Sequence, residues 1–142
     1  MRIKKVIVPG AFDPIHPGHI ELLKEASKLG KVIVILKGDH RLIKKKKKIL
    51  MCADDRAKIL ESVKYVDEVI IYDSNLKDHE DFSIVLDYIT PDIWALGETK
   101  SNCGEPTYLI KLAKKLGVKV LYGVGGKRIH SSSQILKDYI KK

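Results

Sequence analysis

Cysteine is scarce in this sequence. The chain has two cysteines, Cys52 and Cys103, which lie far apart and form neither a Cys-x-x-Cys pair nor a Cys/His cluster. This spacing indicates neither a disulfide framework nor a structural zinc site. We therefore expect two ordinary thiols in a reducing compartment.

Long apolar runs are also missing. No stretch approaches the roughly 18 apolar residues of a membrane span, and the run Val6 to Val8 is too short for a secretory signal. These absences predict a cytoplasmic protein with no membrane partner. With 142 residues, 44% of them hydrophobic, we expect a single domain over residues 1–142.

Aromatic and acidic residues are few relative to the cations. Aromatic residues make up 6% of the chain, and 27 Lys and Arg face 18 Asp and Glu, for a net charge of +9. The segment Lys37 to Lys48 holds seven cations and one carboxylate, so most of the excess charge is local. No aromatic residue interleaves with these lysines, which disfavours a surface that stacks on nucleic-acid bases. A local basic segment instead favours a small anionic ligand, above all a phosphate.

Five short runs rich in β-branched residues alternate with stretches of helical period. Nearly continuous apolar strands between helices are typical of a parallel sheet that is covered on both faces. We expect an α/β fold, a Rossmann-like three-layer sandwich with a five-stranded parallel sheet. The predicted strands are Lys4 to Val8, Val32 to Leu36, Glu68 to Tyr72, Asp92 to Leu96 and Val118 to Tyr122.

The segments that follow the strands are the places to look for a ligand site, because open α/β sheets bind ligands beyond the carboxyl ends of their strands. Four of these segments are chemically unusual: GAFDPIHPGH, KGDHRLIKKKKK, GETKSNCGEP and GVGGKRIHSSS. We interpret them as loops. The fifth, DSNLKDHED after the third strand, is polar and acidic, and we expect it to be a solvated connection.

The loop GAFDPIHPGH sets two histidines three positions apart where a strand leads into a helix. Two imidazoles beside the free N–H groups of a helix N-terminus suit the oxygens of a polyphosphate. Two surface histidines beside a proline turn are the alternative for an isolated His-x-x-His, and the strand-to-helix context favours function instead. A metal site is a weaker interpretation, because no third ligand is evident.

These motifs resemble a known family. GAFDPIHPGH is similar to the first signature of the HxGH nucleotidyltransferase superfamily, and the lysine segment is similar to the family's triphosphate-contacting segment. ADDRAKILESVKYVDEVI resembles a stretch of the cytidylyltransferase-like branch, and SSSQIL resembles the family's closing Ser/Thr signature. The four matches occur in the family's order and cover nearly the whole chain.

The resemblance implies a role for each matched residue. His16 and His19 would stabilise charge on the transferred α-phosphoryl group, and a lysine of the run would contact the triphosphate. Arg128 and the three serines would hold the β- and γ-phosphates, and Arg56 would bind phosphate or orient the acceptor. The implied catalytic residues are His16, His19, Lys44, Lys46 and Arg128. The implied nucleotide- and substrate-binding residues are Gly10, Ala11, Phe12, Asp13, Gly18, Asp39, Arg56, Gly97, Glu98, Ser131, Ser132 and Ser133.

The reaction that the resemblance implies is transfer of CMP or AMP from CTP or ATP to a small phosphorylated metabolite, with release of pyrophosphate. Glycerol 3-phosphate or a sugar phosphate is the first expectation for the acceptor. A FAD synthetase-like or phosphopantetheine-type adenylyltransferase is the alternative, and a basic nucleotide- or RNA-binding module is the non-enzymatic one. Mg²⁺ would bridge the phosphates without dedicated protein ligands. Among relatives a homodimer is the precedent.

Overall fold

Strands and helices alternate along the chain. The computed structural model describes residues 2–46, 48–73, 78–97, 107–127 and 131–141, without the side chains of residues 45, 46, 78–81, 107 and 108. Within these ranges, no helix is long and apolar enough to cross a bilayer. The elements are β1 (Lys5–Gly10), α1 (Pro17–Ser27), β2 (Lys31–Lys37), α2 (Asp39–Lys46), α3 (Ala53–Glu61), β3 (Glu68–Tyr72), α4 (Asp78–Ile89), β4 (Ile93–Ala95), α5 (Thr107–Lys115), β5 (Lys119–Leu121) and α6 (Ser132–Lys141).

The five strands form one sheet in the order β3-β2-β1-β4-β5, and every neighbouring pair is parallel. This confirms the five predicted strands and their parallel arrangement. All strands therefore end at the same side of the sheet, which we call the carboxyl edge; they begin at the opposite side, the amino edge. The strand order reverses beside β1, between β1 and β4, and such a switch point opens a crevice at the carboxyl edge.

Two apolar layers cover the sheet, one on each face. Successive residues of a strand point to opposite faces, so Val6 and Val8 of β1 pack on one side and Ile7 packs on the other. The first layer is completed by α1 and α3, through Leu23, Ala26, Ala57 and Leu60. The second layer is completed by α4 and α5, through Phe82, Leu86, Ile89, Leu109, Ile110 and Ala113. The predicted three-layer α/β/α architecture is confirmed.

The lysine-bearing segment after β2 differs from the prediction. It was expected to be a loop, but Asp39–Lys46 forms a helix. Leu42 is fully buried, and its N–H donates to the carbonyl of Gly38 at 3.1 Å. Lysine is a good helix former, which favours this helix. Only one apolar side chain of the helix is buried, however, so the sequence has little apolar periodicity that would predict it. Arg41 and Lys44 are therefore carried on a helix that starts at the carboxyl edge.

Candidate functional site

The two histidines of the first loop cap the helix that follows them. His16 is the N-cap of α1, and its Nδ1 accepts the N–H of Gly18 at 3.1 Å. The N–H of His16 in turn donates to Nδ1 of His19 at 3.1 Å. This is a capping box in which imidazoles replace the usual hydroxyl and carboxylate. Because each Nδ1 is an acceptor, each neutral ring carries its proton on Nε2. The cap therefore fixes which nitrogen of each ring is the donor.

Aromatic contacts hold the two rings in place. The rings of His16 and His19 are stacked, with centroids 3.7 Å apart and planes 22° apart. The buried Phe12 ring lies 4.6 Å from the His19 ring. Phe12 has a φ of 51°, a left-handed conformation that costs a residue with a side chain about 1–2 kcal/mol. Such strain persists where the surrounding contacts over-determine the conformation, so the histidines are preorganised at the positive end of α1.

The serine motif at the end of the chain lies against the same loop. Ser131 caps α6, because its Oγ accepts the N–H of Gln134 at 3.1 Å. The Ser132 hydroxyl donates to the carbonyl of Pro14 at 2.8 Å, across 118 positions of sequence. The start of α6 is thereby joined to the loop between β1 and α1. Ser133 is exposed in the first turn of α6.

The guanidinium of Arg56 is buried and bonded to the chain. The residue is 2% exposed, and its Nε donates to the carbonyl of Met51 at 2.8 Å. Nη1 donates to the carbonyls of Ala11 at 2.7 Å and Lys37 at 2.8 Å, and Nη2 donates to Oδ1 of Asp39 at 2.9 Å. These donors bind the chain itself, and the predicted role of Arg56 in binding phosphate or orienting the acceptor stays a prediction. Arg56 joins the segments that follow β1 and β2.

Two carboxylates expected to bind nucleotide also accept main-chain hydrogen bonds. The buried Asp13 accepts the N–H of Leu50 at 2.7 Å and that of Met51 at 2.9 Å, one on each oxygen. Oδ1 of Asp39 accepts the N–H of Ala53 at 2.8 Å, besides the guanidinium of Arg56. These bonds connect the histidine loop and α2 to the segment that leads into α3. In both residues the carboxylate holds the backbone, and the predicted nucleotide contact of each stays a prediction.

The remaining predicted residues divide into two groups. Gly10 ends β1, Gly18 lies in the first turn of α1, Lys44 is exposed on α2, and Gly97 follows β4 at the carboxyl edge. The side chain of Lys46 and all of Glu98 and Arg128 lie outside the described residues. Their predicted roles stay predictions.

Two residues of the carboxyl edge were missed by the sequence reasoning. Gly125 follows β5 with a φ of +91°, and a Cβ there would lie 2.8 Å from the Cα of Leu22, so glycine lets this loop approach α1. Asp73 follows β3 in the segment expected to be a solvated connection, yet it accepts the N–H groups of His40 and Arg41 at the start of α2. The available signal was its place directly after a predicted strand.

Hydrogen bonding governs the ionisation of Asp73. Burial alone would raise its pKa, but the hydrogen bond from the His40 side chain and those from the backbone N–H groups of Arg41 and His40 outweigh it. Together they hold the pKa of Asp73 below its usual value. The carboxylate is therefore charged at neutral pH, beside the positive end of α2.

The described residues form no cluster of carboxylates that could enclose a magnesium ion. In the part of the chain that the structure describes, no three His, Cys, Asp or Glu side chains come together as a metal site. Asp13 and Asp39, the carboxylates nearest the first two loops, accept backbone N–H groups.

A family model and curated relatives match most of the chain. Residues 7–135 match the family model described as cytidylyltransferase-like. A protein of Ferroglobus placidus named FAD synthase is 41% identical over 117 residues, which cover 82% of this chain and 72% of that protein. A FAD synthase of Methanobrevibacter smithii is 32% identical over 148 aligned positions, which cover 99% of this chain and 92% of the relative.

A solved structure shares the fold. The lipopolysaccharide core biosynthesis protein from Thermoplasma volcanium GSS1 superposes with a TM-score of 0.65 at 25% identity. The match covers 85% of this chain and 94% of that one.

Proposed function

The chain belongs to the cytidylyltransferase-like family and is a nucleotidyltransferase, and from this premise we propose that it transfers AMP from ATP to FMN, forming FAD and pyrophosphate. The reciprocal histidine cap at the start of α1 carries the proposal, because it makes Nε2 the donor nitrogen of two stacked imidazoles at the start of one helix. The relatives named FAD synthase favour FMN over glycerol 3-phosphate or a sugar phosphate, so the alternative of the sequence analysis becomes the main proposal.

The reaction is an in-line displacement at the α-phosphorus of ATP. A phosphate oxygen of FMN forms a bond to that phosphorus while the bond to the bridging oxygen of the β-phosphate breaks, and pyrophosphate leaves with that oxygen. The attacking oxygen is already anionic, so the step needs no strong general base. Catalysis then consists of positioning and of stabilising charge on the transferred group. Nε2–H of His16 and of His19 would donate to the α-phosphoryl oxygens.

The triphosphate would extend from α1 toward the other cationic groups of the carboxyl edge. Lys44, with Lys46 and Arg128, would contact the β- and γ-phosphates, and the start of α6 with Ser133 would add a helix N-terminus. Gly97 and Glu98 would lie beside nucleotide or acceptor. A Mg²⁺ ion bound to the ATP phosphates would neutralise part of their charge. We also propose that residues 1–142 form one domain, because both apolar layers pack on the same sheet.

The experiment is a matrix of nucleotides and acceptors with two readouts. ATP and CTP are each combined with FMN, glycerol 3-phosphate and heptose 1-phosphate, and pyrophosphate release and product chromatography are followed. We expect FAD and pyrophosphate in equal amounts with ATP and FMN. Riboflavin, which lacks the attacking phosphate, is the matched control and should give neither product.

Two results would contradict the proposal in different ways. Turnover of CTP with glycerol 3-phosphate but none of ATP with FMN would restore the first expectation for the acceptor. No turnover in any combination would exclude nucleotidyl transfer to these acceptors.

A further inference from the structure

We propose that Asp73, at the end of β3, is a positioning residue for Lys44 of α2. The inference rests on the proposed function, because it takes Lys44 as a contact of the ATP triphosphate. Asp73 itself touches no substrate in this proposal. It fixes the helix that carries the lysine.

Asp73 caps α2 as the side chain of an N-cap residue usually does. It lies at the end of β3, however, and not in the segment that leads into α2. Its Oδ2 accepts the N–H of His40 at 3.3 Å, and its Oδ1 accepts the N–H of Arg41 at 3.1 Å. Nδ1 of the His40 side chain lies 2.8 Å from Oδ2. The first N–H groups of a helix have no partner within it, so a carboxylate that accepts two of them satisfies the helix start and its dipole.

The approach of β3 to α2 is built into the neighbouring residues. A Cβ on Gly38 would lie 2.1 Å from Cβ of Asp73, so only glycine lets the two segments come this close. The N–H of Gly38 donates to the carbonyl of Tyr72 at 2.9 Å, and the guanidinium of Arg41 lies 4.8 Å from the centre of the Tyr72 ring. Residues 72 and 73 therefore contact the whole start of α2.

Fixing the first turn of a helix fixes the direction of its later turns. Lys44 lies four residues beyond His40, about one turn or about 6 Å along the axis. On its other side, α2 is held through Asp39, which accepts the N–H of Ala53. Asp73 holds α2 on the side of β3. Without it, the helix start would shift, and Lys44 would move relative to the histidines of α1.

A purely structural role is the alternative, and the chain offers a matched control for it. Oδ2 of Asp67 accepts the N–H of Val32 at 2.8 Å at the amino edge, near the starts of β2 and β3. Asp67 thus makes a carboxylate-to-backbone bond from the start of β3 to β2, whereas Asp73 makes its bonds from the end of β3 to the helix that follows β2. Asp67 lies at the end of the sheet away from the proposed site. Loss of either bond should lower stability, and only loss of the Asp73 bond should alter use of ATP.

The test compares Asp73→Ala, Asp67→Ala, Lys44→Ala and the double variant Asp73→Ala with Lys44→Ala in the FAD-forming assay. Small displacements of a positioned group cost large factors in rate, so we expect Asp73→Ala to lower kcat/KM for ATP about tenfold. KM for FMN should stay within about twofold of wild type, since the displaced group acts on the triphosphate. Asp67→Ala should leave both parameters within about twofold at the same temperature.

The double variant tests whether Asp73 acts through Lys44. If it does, kcat/KM of the double variant equals that of Lys44→Ala within about twofold, because the positioned group is already gone. Full multiplication of the two single effects would overturn the proposal, and so would wild-type kcat/KM for ATP in Asp73→Ala. If Asp73→Ala does not fold, Asp73→Asn keeps the shape and loses one acceptor, and the same comparison applies to it. A wild type that forms no FAD fails the proposed function itself, which is a different result.

Discussion

The amino and carboxyl edges of the sheet both contain hydrogen bonds from a backbone N–H to an aspartate carboxylate, but these bonds hold different parts of the chain. At the amino edge, Asp67 accepts the N–H of Val32 at 2.8 Å and Asp92 accepts the N–H of Lys5 at 2.8 Å. Each bond joins the residue before one strand to the first or second residue of its neighbour. At the carboxyl edge, Asp13, Asp39 and Asp73 also accept backbone N–H groups, but these belong to helices and connecting segments.

The difference shows where a fold-stabilising bond also becomes a functional one. At the amino edge, the bond holds strands that the sheet already holds. At the carboxyl edge, it fixes helices and connecting segments that no strand pairing holds, next to the histidines and Lys44. Variants at the amino edge should therefore change stability alone, whereas variants at the carboxyl edge should change stability and activity together.

The largest expected effect follows loss of the Arg56 guanidinium. Arg56→Met would leave the carbonyls of Ala11, Lys37 and Met51 without this donor and Asp39 without its cation. Removing one partner of a buried pair costs about 3–5 kcal/mol, and the partial exposure of Asp39 favours the lower end, about 3 kcal/mol. Urea unfolding measures this loss, and FAD formation should fall with it.

Arg2→Met is the control at the amino edge. The Arg2 side chain is 70% exposed where it meets Asp92, and exposed ion pairs contribute about 0–1 kcal/mol. A loss below about 1 kcal/mol in Arg56→Met, equal to that of Arg2→Met, would mean that Arg56 does not hold the carboxyl edge together.

The next prediction distinguishes two roles of His19, as part of the helix cap and as an imidazole donor. His19→Ala removes both, whereas His19→Gln removes the ring and keeps an acceptor for the N–H of His16, since glutamine serves at this position of a capping box. We expect both variants to lose about a hundredfold in kcat/KM, the cost of losing one donor to a developing charge. Only His19→Ala should also lose about 1 kcal/mol of stability, the usual value of a helix cap.

Chromatographic detection of FAD and urea unfolding, run on the same preparations, give the two readouts. Wild-type kcat/KM in His19→Gln would show that the cap matters and the ring does not, which would remove the transition-state role proposed for His19.

The fold could be predicted from the sequence because its signals are strong and local. Apolar runs such as Val32 to Leu36 have a single plausible place, in a sheet that is buried on both faces. Helix α2 could not be predicted from its apolar pattern, because Leu42 is its one buried apolar residue. Its start depends on Asp73, whose partners lie more than thirty positions away along the chain.

The site could be predicted less completely, because residue type does not reveal what a polar side chain contacts. The sequence predicts that the histidine and serine motifs lie at one edge of the sheet. In the structure, the hydrogen bond from Ser132 to Pro14 joins the two motifs there. Arg56 and Asp13 have the chemistry of phosphate or nucleotide contacts, but their burial and their backbone partners could not be predicted from residue type, because only the packed structure supplies those.

The smallest expected effect is at Asp92, on the amino edge. The hydrogen bond from the backbone N–H of Lys5, opposed by burial and aided by Arg2, holds the pKa of Asp92 below its ordinary value of 3.8. A carboxyl group whose pKa is lowered by folding stabilises the protein above its unfolded pKa, and the contribution is lost as the pH falls through the folded pKa. Asp92→Asn should therefore cost about 1 kcal/mol at pH 7.

The difference between wild type and Asp92→Asn should shrink as the pH falls below 3.8 and vanish once the native carboxyl group is protonated. Urea unfolding at neutral and acid pH measures it, and kcat/KM at pH 7 should equal that of wild type. Asp92 accepts the N–H of Lys5, the first residue of β1. A lower kcat/KM in Asp92→Asn would mean that a change at this residue is transmitted along β1 to the histidines that follow the strand. The two edges would then be coupled, and the separation of stability from activity would hold only for Asp67.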